Sequence, residues 1–424
     1  MSDTEGGGVA AESGFFGSRW VECPAHVREL EPTGLPHGFR AAGVEAGIKP
    51  HGLDVGLLVS DEPATTSSAR FTRNALVGAP VAVSSEAALD GLRAVVATSG
   101  NANVCDGERG LATARESQAA AAELLELPAE RVGLASTGVI GRELPRDRLL
   151  EGIATAAARL DTDARDLSEA ILTTDRGPKR ACLEVALTAG RVRLAAQAKG
   201  AGMISPAFAT MFCFVETDAA LDAHTVELLT GVCVKRSFDR ISVDGQLSTS
   251  DTVYVLASGA SGVRVEEQSE DELRLGEALD ALMRQLALEI VADGEGATRV
   301  GRVVVRGGDE LVAPVARAVA DSPLVKTALL GADPGFGRVL QAAGQALAVA
   351  GAPFLVDLDI EGRRVASAGE VLELAEPEWS ELERAVGGTE VELALTVPGS
   401  GGETEVFFSD LTHAYVTLNA EYST

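Results

Sequence analysis

The run Lys199-Gly-Ala-Gly-Met-Ile-Ser-Pro-Ala-Phe-Ala-Thr-Met-Phe212 constrains this chain more than any other stretch of its 424 residues. Gly200, Gly202 and Pro206 signal a bent, non-helical approach to an apolar strand. The approach ends at Ala209-Thr210, a β-branched alcohol directly after a small residue. A hydroxyl beside a strained peptide bond can attack it, so the bond before Thr210 is open to an intramolecular acyl shift. Cleavage there exposes a new N-terminal threonine. Its α-amine, with an ordinary pKa near ~8, can act as base for its own hydroxyl. On residue types alone, a plain loop before a buried strand is the simpler reading. What overturns it is the company the run keeps.

Composition narrows the field first. Hydrophobic residues make up 46% of the chain and charged residues 23%, enough for two core-bearing lobes. A net charge of -27 repels phosphate backbones and anionic bilayers, so neither nucleic acid nor membrane is an expected partner. A small anionic substrate needs a local basic pocket against that field. Aromatics are only 4%, which predicts a core of small aliphatic side chains. The five cysteines (Cys23, Cys105, Cys182, Cys213, Cys233) include no CxxC pair, so neither a disulfide framework nor a metal site is expected. The N-terminus lacks a basic start and an apolar core, and no apolar run reaches membrane-spanning length. These features predict a cytoplasmic protein.

Periodicity predicts an α/β (α+β) protein, helices packed on mixed sheets. Residues 1–17 read as a loose, Gly- and Ser-rich segment. Strands are expected at Val55-Leu58, Ala69-Thr72, Pro80-Val83 and Leu92-Thr98, the last broken by Ser99-Gly100-Asn101. Arg131-Ser136 reads as a strand feeding a loop from Thr137 to Gly141. Further strands are expected near Ala181-Leu187, Val192-Ala198, Thr210-Glu216, Val253-Ala257 and Arg302-Val305. Helices are expected over Glu108-Leu127, Arg146-Leu160, Ala164-Leu172, Thr225-Arg236, Glu270-Ala292, Asp309-Asp321 and Gly337-Ala350, then mostly short strands from Ala352. The natural division is functional: 18–209 before the nucleophile and 210–424 from it onward.

Lined up in order, these runs resemble the ornithine acetyltransferase (glutamate N-acetyltransferase) family of arginine biosynthesis. The matching stretches include Gly38-Phe-Arg-Ala-Ala-Gly-Val-Glu-Ala-Gly-Ile-Lys, Ser99-Gly-Asn-Ala-Asn-Val-Cys, Ser136-Thr-Gly-Val-Ile-Gly and Thr173-Thr-Asp. They continue through Lys199-Gly-Ala-Gly-Met, Ala209-Thr210-Met211, Ser248-Thr-Ser-Asp-Thr, Asp293-Gly-Glu-Gly-Ala-Thr and Ser322-Pro-Leu-Val-Lys-Thr-Ala. The tail Asp410-Leu-Thr-His-Ala-Tyr-Val, ending Asn419-Ala-Glu-Tyr-Ser-Thr424, matches as well.

The resemblance implies the family's own α/β fold, similar to that of the DmpA aminopeptidases. It also implies self-cleavage between Ala209 and Thr210 into α and β chains that stay together, with homo-oligomers of αβ units expected. Thr210 would carry acetyl from N-acetylornithine to glutamate in a ping-pong reaction, without cofactor. Acetyl-CoA as a second donor is left open. By the same match, Thr137 and Gly138 form the oxyanion hole, Lys199 holds a carboxylate and Glu295 the ammonium of ornithine. Thr173, Asn419 and Thr424 supply further hydrogen bonds.

Three runs depart from the family pattern. Asp-Pro-Asn-Trp-Gly-Arg becomes Asp333-Pro-Gly-Phe-Gly-Arg338, and Asp-Gly-Asp-Thr-Ser-Thr-Asn-Asp becomes Asp244-Gly-Gln-Leu-Ser-Thr-Ser-Asp251. The Cys-Thr-Gly run becomes Cys105-Asp106-Gly107. None touches the nucleophile or the named ligands. Competing readings are an N-terminal-nucleophile amidohydrolase or aminopeptidase with water as acceptor, a specialised-metabolism relative with another acyl substrate, and a silent binding protein.

Overall fold

The computed structural model describes residues 14–205 and 211–421. Three sheets organise these residues. A four-stranded sheet runs in the order Phe39–Val44, Val55–Ser60, Ala94–Asn101, Val132–Val139. A six-stranded sheet runs Val27–Glu29, Lys179–Ala186, Arg191–Lys199, Phe212–Thr217, Thr252–Ala257, Thr66–Phe71. Alternating residues put Leu58, Val95, Ala97 and Ala135 of the first sheet against Phe212, Phe214, Tyr254 and Leu256 of the second. The outer face of the four-stranded sheet is covered by the helices Gly107–Leu124 and Arg146–Ala157. The outer face of the six-stranded sheet packs on Ala223–Arg236 and Glu270–Ala292. The result is a four-layer sandwich of helix, sheet, sheet and helix, and its six-stranded sheet takes strands from both sides of residue 210.

A seven-stranded sheet with its own core lies beside the sandwich, its inner strand Val300–Gly308 flanked by Gly401–Ser409 and Glu390–Thr396. Helices Asp309–Ala320 and Phe336–Ala350 cover it. Buried Glu405 joins the two lobes, accepting from Arg284 on helix Glu270–Ala292 at 2.5 Å and from Arg302 at 2.8 Å. That helix starts where Ser269 accepts the Glu272 amide, with three acids in the first turn facing the positive end of the dipole.

The fold class and most expected elements are present, with several differences. Pro80-Val83 is not a strand but part of the helix Ala79–Ser85, where proline sits harmlessly in the first turn after an extended Gly78. Ser99-Gly100-Asn101 does not break its strand, which runs to Asn101. Thr137 and Gly138 are not in a loop; they pair with Ser99 and Gly100 as the strand continues to Val139. These polar residues stay extended because their polar groups find partners, as when the Ser99 hydroxyl donates to the Ala170 carbonyl at 2.6 Å. The tail after Ala352 also contains two helices, Glu376–Ala385 and His413–Glu421, and Pro323–Leu330 is a further helix the sequence reading passes over. All five cysteines are unpaired. No helix among the described residues is long and apolar enough to cross a membrane.

One buried acid lies in the layer between the sheets. Glu216 is fully buried and accepts from Gln197 Nε2 at 3.2 Å, and each side chain keeps one oxygen without a partner. Burial pushes the Glu216 carboxyl well above its ordinary value. An acid whose folded pKa lies above its unfolded one loses stability as pH rises between the two values. Glu216→Gln is therefore expected to flatten the fall in melting temperature above pH 5 and to raise melting at pH 8 by roughly 2–4 °C, read by calorimetry. An unchanged pH slope would show that Glu216 is not the group titrating.

Candidate active site

At one end of the sandwich, three neighbouring strand ends of the six-stranded sheet come together. Register places Lys199 opposite Phe212, and Phe212 opposite Thr252. Thr137 and Gly138 lie close to the end of their strand in the facing sheet. The cleft between them is lined by Thr137, Gly138, Thr173, Lys199, Glu295 and Asn419, with Ala102, Ile140, Thr174, Gly202, Met203 and Ser248 to Ser250 completing the wall. Every sequence-predicted site residue that lies within the described residues is thus in one cleft. Ala209, Thr210 and Thr424 lie outside the described residues.

Lys199 organises the cleft. Its Nζ donates to Thr173 Oγ1 at 2.8 Å and to Thr137 Oγ1 at 3.3 Å, and stands 3.9 Å from Asp175 Oδ2. Burial pushes its pKa below the ordinary lysine value, against the pull of Asp175. Burial alone would push Asp175 up, but Lys199, Lys179 and the Gly200 amide outweigh it, and the carboxyl falls to about 2. Charges then alternate away from the cleft: Asp175 accepts from Lys179 at 2.8 Å, and Lys179 reaches Asp293 at 2.5 Å. In this alternation Asp175 opposes the desolvation that lowers the Lys199 pKa.

Gly138 is fixed by backbone geometry. Its φ is +127°, and a Cβ there would lie 2.4 Å from the Gly100 carbonyl carbon and 2.6 Å from the Asn101 nitrogen. Thr137 is buried beside it. Because Lys199 donates to the Thr137 oxygen, the Thr137 hydroxyl proton is free to point elsewhere.

Glu295 arrives from the turn after helix Glu270–Ala292, and its amide donates to Ala201 O at 2.9 Å. Gly202 lets it approach, since a Cβ there would meet the Glu295 carboxyl at 2.5 Å. Asn419, on the helix His413–Glu421, donates to Glu295 Oε2 at 2.7 Å. That helix is tied down by the Asp410 carboxylate, which accepts from the Thr298 amide and hydroxyl, and by the Tyr415 hydroxyl reaching Asp244 at 3.4 Å. Asp244 also holds the loop before residue 206 by accepting the Met203 and Ile204 amides.

Among the described lining residues, Lys199 is the single cation and Glu295 the single anion. Sequence reasoning assigned no role to Asp175, Asp244, Asp251 or the Ser248 to Ser250 wall. Each lay inside a matching or departing run, but only the fold shows which side chains of a run face inward. Of the three departing runs, 244–251 borders the cleft, whereas Asp333 and Pro334 line a cavity of the other lobe.

Comparison with known proteins places the chain. The model of the ArgJ family matches residues 40–424. The arginine biosynthesis bifunctional protein ArgJ of Nitratidesulfovibrio vulgaris is 42% identical over 397 residues, covering 91% of this chain and 98% of that protein. Its namesake from Symbiobacterium thermophilum is 42% identical over 402 residues, covering 92% and 98%. Among solved structures, the ornithine acetyltransferase of Mycobacterium tuberculosis complexed with ornithine is 34% identical, with a TM-score of 0.40, covering 44% of this chain and 99% of that one. The chain belongs to the ArgJ family.

Proposed function

We propose that this enzyme cleaves itself before Thr210 and then moves an acetyl group from N-acetylornithine to glutamate through an ester on Thr210. The observation that carries the reading is the cleft itself. Three separate segments bring one buried cation, one anion and a threonine-glycine pair into one cleft, and register sets the cation, Lys199, opposite Phe212, where the following strand begins.

The Thr210 hydroxyl attacks the acetyl carbonyl, and its proton passes to the Thr210 α-amine. Negative charge develops on the acetyl oxygen, where the Thr137 hydroxyl and the Gly138 amide donate. Lys199 supports this by holding the Thr137 oxygen, and its third proton is available for the substrate carboxylate. Glu295, positioned by Asn419, takes the side-chain ammonium of ornithine. Ornithine leaves with the proton, and the glutamate amine then takes the acetyl group by the reverse steps. The relatives, bifunctional proteins of arginine biosynthesis, support this reading and leave room for acetyl-CoA as a second donor.

Assaying acetyl transfer from N-acetylornithine with and without glutamate tests the proposal. Acetylglutamate formed only when glutamate is present supports transfer. Equal release of ornithine and free acetate without glutamate would favour the hydrolase reading. Glu295→Gln is expected to raise the KM for N-acetylornithine about tenfold and to leave that for glutamate unchanged or lower, because glutamate offers no side-chain ammonium. Equal increases for both substrates would contradict the role given to Glu295.

One observation favours a second reading, a donor with a larger acyl group. Ser250 stands on the cleft wall where the family run has asparagine, leaving a shorter side chain there. Propionyl- and acetylornithine compared as donors decide between them.

A further inference from the structure

Lys326 belongs to the matching run that starts at Ser322, and the reaction above gives it no task. It comes from the helix Pro323–Leu330 of the seven-stranded lobe, and only 2% of it is exposed. Its Nζ donates to the Ser409 carbonyl at 2.9 Å and lies 5.4 Å from the Phe408 ring centre. The Leu411 amide donates to the Lys326 carbonyl at 3.4 Å. Side chain and backbone of one residue thus grip the segment 409–412. Burial lowers the Lys326 pKa to about 8, against the pull of Asp321, Asp244 and Asp410, so the side chain is cationic at pH 7. The other side of the segment is tied to the residues just after Glu295. Asp410 accepts the Thr298 and Arg299 amides at 2.8 and 3.2 Å, and the Thr412 hydroxyl donates to the Gly296 carbonyl at 2.8 Å.

The same segment leads directly into the helix His413–Glu421, which carries Asn419 to Glu295. No residue of that helix is buried, so little apolar packing holds it. Its first turn is held by polar ties instead. The Thr412 hydroxyl accepts the Tyr415 amide at 3.2 Å. A Cβ on Gly296 would lie 2.7 Å from the Tyr415 nitrogen, so the turn sits directly on the residue after Glu295. Asn419 lies about 9 Å along the axis from His413, and a small tilt at the root is magnified there. We propose that Lys326 is a positioning residue for the ammonium subsite: from the other lobe it holds the segment 409–412, and through it sets Asn419 against Glu295. The proposal rests on Glu295 taking the side-chain ammonium of ornithine. Glutamate has no such group and does not call on the pair. Thr137 and Gly138 stand in the facing sheet, outside this chain of contacts.

The test is steady-state kinetics at pH 7 on Lys326→Met and Lys326→Gln, beside amide hydrogen exchange of the purified protein read by mass spectrometry. Methionine fills most of the space without a donor, and glutamine keeps a donor that ends one atom short. Both variants are expected to raise the KM for N-acetylornithine about tenfold, with kcat and the KM for glutamate held within about twofold. Exchange over 413–421 should quicken about tenfold, while that of helix Glu270–Ala292 stays as in wild type. A donor KM within about twofold of wild type, or equal rises for both substrates, would overturn the proposal. Failure of both variants to fold would assign Lys326 to folding itself and overturn it as well. In the Glu295→Gln background, Lys326→Met should add nothing to the donor KM, because the group it positions is already gone. A further rise of about tenfold there would also overturn the proposal. The reading of Glu295 fails separately. Glu295→Gln alone would then leave the donor KM unchanged, while exchange over 413–421 would still report whether Lys326 holds the helix.

Discussion

Gly138→Ala is expected to lower kcat for acetyl transfer by about 100-fold or more, the loss that follows when one oxyanion donor is displaced. The cause is geometric. A methyl group at 138 would sit 2.4 Å from the Gly100 carbonyl carbon, and the positive φ adds strain of about 1–3 kcal/mol. The two paired strands must part, and the amide moves with them. Gly141→Ala is the control on the same segment. It carries a φ of +78° with nothing within 4 Å, so it bears similar backbone strain without the collision. Melting temperatures report the strain in both variants, and steady-state rates report the displaced amide. Activity of Gly138→Ala within a few-fold of Gly141→Ala would remove Gly138 from the oxyanion hole.

Lys199→Met is expected to raise the KM for both amino-acid substrates by about 100-fold, because the single cation among the described lining residues is lost and a carboxylate enters unpaired. Asp175 keeps Lys179 at 2.8 Å, so the variant is not left with a lone buried carboxylate. The pH dependence carries a sign. Burial lowers the Lys199 pKa, so in wild type its charge is lost below the ordinary lysine value and KM should climb on the alkaline side. Lys199→Arg keeps its charge and should abolish that climb. Steady-state profiles from pH 7 to 10.5 read both effects. An alkaline climb that persists in Lys199→Arg would assign the titration to another group.

How much was legible in the sequence depends on what each residue reveals locally. Helix Glu270–Ala292 is readable end to end, since its cap, its acidic first turn and its apolar spacing lie within the segment itself. His413–Glu421 is not, because none of its residues is buried and no apolar stripe marks it. The helix Ala79–Ser85 buries Pro80, Val81 and Val83, which at four residues cannot be told from a strand. Ser322-Pro323 was a missed signal, a serine cap followed by proline in the first turn of Pro323–Leu330. In the cleft, Thr137, Lys199 and Glu295 could be named from their runs, but their mutual placement depends on strands distant in sequence pairing at Phe212. Asp251 shows the same limit. Its identity is plain in the sequence, yet its burial against the Met211 amide exists only after Phe212 and Thr252 pair.

The most direct measurement is a denaturing gel of the purified, untagged protein, with N-terminal sequencing of every band. Two fragments, one beginning Thr210-Met211-Phe212, are the expected result, and Thr210→Ala should run as one full-length chain without transfer activity. A single intact wild-type chain that still transfers acetyl would contradict an N-terminal threonine nucleophile.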